Sequence, residues 1–157
     1  MCGLFGYTLH ESIYDKDKAR ILGSVLGYNC TDRGRDSWGV VRLDPGNKYQ
    51  IQKGLGPIHR GIEYKQFEHP QVFGHTRHAT MGAVNVDNAH PFEMDRIVGM
   101  HNGIISNWKA LGEHYHEDYQ VDMDELRSKP AEVPGLADLV TVIGKLVESN
   151  QKIERRA

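Results

Sequence analysis

Apolar and polar residues alternate through this chain in short runs. Residues 4–9, LFGYTL, read as a buried strand. Asp15 then stands where it can cap a helix whose apolar residues Ala19, Leu22 and Leu26, flanked by Ile21 and Val25, form a face to pack on a sheet. WGVVRL (38–43) and YQIQKG (49–54) flank Asp44-Pro45-Gly46-Asn47, which predicts a hairpin. QVFGHTRHAT (71–80) and RIVGMHNG (96–103) predict two further strands, each ending in polar residues. A second helix is predicted from Ser106 or Asn107, with Trp108 and Leu111 inward, and a third from Leu136 to Val147. Lys129-Pro130 and Pro134-Gly135 bracket the loop between them, and 151–157 is expected to fray.

The pattern predicts an α+β fold, a mostly antiparallel sheet with helices on its outer face. Strand ends would then gather Arg77, Thr80, Asn102 and Gly103, with Cys2 at the start of the first strand.

Composition narrows the function classes. At 157 residues, one domain with a real core is expected. A formal net charge of −2 with scattered basic residues gives no electrostatic case for nucleic acid or an anionic membrane. No apolar run is long enough to span a bilayer and no leader pattern opens the chain, so a cytoplasmic protein is expected. Two cysteines, Cys2 and Cys30, are too few for a disulfide framework and suit a reducing compartment.

Cys2 brings candidate chemistry. Removal of Met1 would leave a thiol and a free α-amine on one residue, a nucleophile and a base two carbons apart. Retention of Met1 would turn that amine into an amide and remove the base. Nine histidines raise the question of a metal. The His114, His116, Glu117 and Asp118 cluster reads as a solvated helix end, and His75 and His78 lack a second ligand station, so no metal and no cofactor is assigned.

Five segments, MCGLFGY at the start, RGRDSWG (33–39), GHTRHATMG (74–82), NAHPF (88–92) and HNGIISN (101–107), occur in an order that resembles the class II glutamine amidotransferases. These are glutaminase domains with an N-terminal nucleophile. The likeness is nearest to the domain attached to glucosamine-6-phosphate synthase and covers 1–112, with 113–157 divergent or truncated within one domain of 1–157. It implies an αββα sandwich, here incomplete towards the C-terminus because further strands would be missing, which would leave one face of the first sheet uncovered.

The resemblance also implies roles. Cys2 would attack the carboxamide of L-glutamine to form a thioester, Asn102 and Gly103 would form the oxyanion hole, and Arg77 would grip the α-carboxylate as a planar fork. Thr80 and Gly82 would line the pocket. Asp122 would meet the α-ammonium, with Asp124 and Asp138 as alternatives. Arg33 and Asp36 read as a structural ion pair. His78 and Met81 depart from the sugar-synthase branch, which usually has tryptophan and histidine there, so that branch's acceptor is not carried over. The ammonia would pass to a separate acceptor or synthase chain, and a homo-oligomer is another expectation. A hydrolase of some other amide, or a silent glutamine-binding module, are the competing functions.

Overall fold

The computed structural model describes residues 1–44, 48–94, 97–103, 109, 110 and 113. The chain divides into two compact units, Met1–Phe92 with Met100–Ile104 and Glu93–Gly99 with Ile105–Ala157. In the first unit, β1 (Gly3–Thr8), β2 (Ser37–Asp44), β3 (Lys48–Leu55) and β4 (Gln71–Arg77) form an antiparallel sheet in the order β1-β4-β2-β3. Helix α1 (Lys16–Cys30) connects β1 to β2, and a short α2 (Ile58–Gly61) and a 3-10 helix (Tyr64–Phe67) lie between β3 and β4. Two three-residue strands, β5 (Phe92–Met94) and β6 (Ile97–Gly99), pair with each other.

The hairpin forms as the alternation predicts, with Trp38 opposite Gly54 and Val41 opposite Ile51. Its outer strand β3 carries Lys48, Gln50, Gln52 and Lys53, polarity suited to a sheet edge. On the helix-bearing face, Phe5, Tyr7, Val72, Trp38 and Val40 meet Ala19, Ile58, Ile62 and Phe67 to make the core. The Tyr7 hydroxyl donates to the Phe67 carbonyl at 2.5 Å, and burial raises its pKa well above that of a free phenol.

Asp15 caps α1 as expected, its side chain accepting from the Lys18 N–H at 2.8 Å. The buried face of the helix differs from the one the apolar spacing suggested. Ala19, Gly23 and Gly27 face inward, Leu26 is half-buried, and Ile21, Leu22 and Val25 are exposed. The reason is space: a Cβ on Gly23 would lie 2.5 Å from the Phe67 ring, so only a small residue lets the helix approach.

The centre of the other face is covered rather than bare. Val41 and His75 are 4% and 0% exposed, and the Asn88–Phe92 segment crosses Gly39 so closely that a Cβ there would collide with the His90 carbonyl. Leu4 and Leu55, nearer the margins, remain exposed. Strand β4 stops at Arg77 and β6 covers only 97–99, both shorter than the sequence runs suggested. Of the helix predicted from 106, only Lys109, Ala110 and Glu113 are described, and they are helical; the helix predicted from 136 and the turn at 45–47 lie outside the described residues.

Candidate active site

Cys2 reaches its position because the segment on either side of it is pinned. At the end of α1, the Thr76 hydroxyl donates to the Cys30 carbonyl at 2.7 Å, satisfying one of the terminal helix acceptors. Gly3 lies against that same Thr76 and Cys30, where a Cβ would be 2.7 Å from the Thr76 hydroxyl. The Cys2 carbonyl accepts two hydrogen bonds, from Arg33 Nε at 3.0 Å and from the Asn102 side-chain amide at 3.0 Å. Its sulfur lies beside His78, whose backbone N–H donates to Sγ at 3.4 Å, while the thiol approaches the His78 carbonyl at 3.7 Å. The nucleophile candidate is thus held by residues 31, 76 and 100 positions away in sequence.

The RGRDS loop is built to approach the end of β4. A Cβ on Gly34 would sit 2.5 Å from the Arg77 carbonyl carbon, so glycine is required for that contact. The Asp36 N–H donates to the Arg77 carbonyl at 3.1 Å, and Asp36 Oδ2 accepts from the Ala79 N–H at 2.7 Å. The same oxygen lies 3.6 Å from His78 Nδ1, ion-pair range and too long for a hydrogen bond. Arg33 and Asp36 therefore do not pair with each other: the arginine binds the Cys2 carbonyl and the aspartate binds the 78–79 turn. The spacing RGRD hid this because the two side chains leave the loop towards different strands' ends.

Arg77 is 5% exposed and donates through Nη1 to the Ala83 carbonyl at 3.0 Å and through Nη2 to the Met81 carbonyl. The guanidinium holds the 78–83 loop in shape, and each terminal nitrogen keeps a second N–H for another acceptor. Thr80 and Gly82 are both exposed on that loop, with Gly82 at φ +72°, a left-handed conformation suited to glycine. Asn88 closes the loop by donating to the Ala83 carbonyl at 3.1 Å. Gly103 follows Asn102 at the surface. Cys2, Arg77, Thr80, Gly82, Asn102 and Gly103 lie in one unit, with Asn102 in direct contact with Cys2. Asp122, Asp124 and Asp138 lie outside the described residues.

The surroundings of three residues, Arg33, His75 and His90, escaped the sequence reading. Arg33 touches the candidate nucleophile, Cys2, itself. His75 and His90 stack on the covered face with ring centroids 4.0 Å apart, and neither ring nitrogen of either side chain has hydrogen-bonding geometry to a described residue. Burial lowers the His75 pKa to about 4, despite an upward pull from the His101 backbone, and lowers that of His90 well below the ordinary range. Both stay neutral at pH 7. Nothing in a sequence distinguishes a buried histidine from a surface one. Among the described residues no group of three or more His, Cys, Asp or Glu side chains could hold a metal, and no helix is long and apolar enough to cross a membrane.

An antiparallel sheet with α1 on one face and a covered opposite face, led into by Cys2, gives an α+β fold of the N-terminal-nucleophile hydrolase type. A solved structure of the allosteric regulatory enzyme of purine biosynthesis shares it, with a TM-score of 0.58 and 22% identity, covering 89% of this chain and 32% of that one. No family model matches the chain. It is 38% identical over 115 residues to the isomerizing glutamine–fructose-6-phosphate aminotransferase of Caulobacter vibrioides, covering 71% of this chain and 18% of that protein. The same enzyme of Thermococcus kodakarensis is 38% identical over 119 residues, 72% of this chain and 18% of that one. The chain thus spans about a fifth of the length of these curated relatives. Sequence and fold together make it a member of the class II glutamine amidotransferase family.

Proposed function

We propose that this chain hydrolyses the side-chain amide of L-glutamine through a thioester on Cys2 and delivers the ammonia to an acceptor on a separate synthase chain in the cytoplasm. The observation that carries the reading is the 3.0 Å hydrogen bond from the Asn102 amide to the Cys2 carbonyl. It sets a fixed donor beside the nucleophile across 100 residues of chain.

Removal of Met1 frees the Cys2 α-amine, which accepts the thiol proton as sulfur attacks the carboxamide carbon. Asn102 and the Gly103 N–H receive the negative oxygen of the tetrahedral intermediate, donors that need no rearrangement when the charge develops. The protonated amine returns its proton to the departing ammonia, and water then cleaves the thioester to glutamate. The second N–H groups of Arg77 take the α-carboxylate of glutamine, beside Thr80 and Gly82 on the loop that Arg77 shapes. Asp122 takes the α-ammonium. The whole chain, from Met1 to Ala157, acts as one glutaminase domain.

Glutamate release from Met1-processed protein tests this. Turnover that disappears in Cys2→Ala, together with a one-to-one adduct of a glutamine-analogue electrophile on Cys2, is the expected result. Absence of both, with candidate synthase chains present, overturns it. A γ-glutamyl compound that far outperforms glutamine would show a hydrolase of another amide instead.

A further inference from the structure

Helix α1 packs on β1, β4, α2 and the 3-10 helix, and its buried residues are the small Ala19, Gly23 and Gly27. Its large apolar residues point the other way. Ile21, Leu22, Val25 and Tyr28 are 61%, 37%, 52% and 64% exposed. At 3.6 residues per turn all four lie within about 60° of the direction of Val25. Lys18 and Asp32, also exposed, lie on the same stripe to either side of it. Thr31 keeps helical dihedrals, φ −57° and ψ −34°, which carries the stripe past the end of α1 to Asp32. Positions 18, 25 and 32, with 21 and 28 between them, repeat as the seam of a paired helix does. The stripe lays open roughly 400 Å² of apolar side chain, a size at which a patch marks an interaction site. Asp32 accepts from Arg35 at 2.7 Å and, at 82% side-chain exposure, keeps lone pairs for a second cation.

From this stripe we propose that the chain pairs with a second copy of itself, α1 against α1, antiparallel and centred on Val25. A two-fold axis through Val25 sets that residue against its own copy. It sets Leu22 against Tyr28 of the second copy and Lys18 against Asp32 of the second copy, each contact occurring twice. Opposite charges at mirror positions are what an interface made from one repeated surface requires. A partner of unrelated sequence has no need of that symmetry. Tyr28 is steadied for the contact by the His59 ring, with centroids 5.4 Å apart. Two such faces bury on the order of 1,000 Å² in all, the low end for a specific interface. The dimer is therefore weak, with a dissociation constant of about 10 µM. Pairing does not depend on the glutaminase reading, since α1 carries none of the candidate site residues.

Sedimentation equilibrium of the full chain from about 1 to about 300 µM is the test, and the mass is expected to rise from monomer to dimer. Val25→Asp puts two unpaired carboxylates at the centre of the contact and is expected to weaken the dimer more than about tenfold. Lys18→Asp or Asp32→Lys alone sets like charges against each other, and each is expected to weaken the dimer about tenfold. The double variant exchanges the two charges and is expected to regain most of the loss. All three positions are exposed, so far-UV circular dichroism is expected to match wild type. Should Val25→Asp lose helicity, the charge exchange decides the matter by itself. A monomer throughout the range, growth past the dimer, or a dimer that survives a folded Val25→Asp overturns the proposal. A double variant no tighter than the single ones overturns it too. A wild-type monomer whose α1 face binds a separate synthase chain overturns it in favour of that partner.

Discussion

The buried histidine stack makes folding stability depend on pH in a window where carboxylates contribute little. His75 is 0% exposed and its pKa is lowered from 6.5 to about 4, chiefly by burial. Between those values the unfolded chain binds a proton at this site and the folded chain does not. Stability is therefore full above pH 6.5 and falls as the pH drops, the loss saturating near pH 4. For the single site the loss is about 2 kcal/mol by pH 5 and about 3 kcal/mol by pH 4, from a shift of roughly 2.5 units at 1.36 kcal/mol each. His90 and His69 shift in the same direction and steepen the wild-type slope. Urea unfolding at pH 7.0, 6.0 and 5.0, for wild type and His75→Met, isolates the His75 part, since methionine fills the space without titrating. The variant is expected to lose about 2 kcal/mol less than wild type between pH 7 and pH 5. Equal losses in the two proteins would refute the reasoning, whatever the variant's absolute stability.

Two further outcomes follow from single contacts. Asn102→Ala removes the amide that touches Cys2, and is expected to lower glutamine turnover by about 10²–10³ with a much smaller change in KM. Unchanged turnover in steady-state assays would remove Asn102 from the oxyanion hole. Tyr7→Phe leaves the buried Phe67 carbonyl without its donor and is expected to cost about 1–2 kcal/mol in urea unfolding. A loss under about 0.3 kcal/mol would mean that water replaces the hydroxyl there.

The sheet was legible in the chain because its strands alternate and a Pro-Gly pair stands between the two hairpin strands in the sequence. The N-cap was legible too, since Asp15 acts within three residues of itself. The inward face of α1 was not. Large apolar residues on a helix normally turn towards the core, but here Phe67, contributed from far along the chain, leaves no room for a side chain at Gly23. The segment between β3 and β4 was missed because α2 and the 3-10 helix are four residues each, too short to show a period.

At the site, the ordered motifs named the candidates without saying what each one touches. Local sequence determined the residue types at the candidate site: a cysteine at position 2, an Asn-Gly pair, and an arginine at the end of a strand. Tertiary structure decided that Arg33 reaches the Cys2 carbonyl instead of Asp36, and that Asp36 faces His78. It also decided that His75 is sealed from water while His78, three residues on, is open. Those partnerships depend on which strand ends meet and which glycines let backbones touch. Such distances are set between segments far apart in sequence, so no local pattern encodes them.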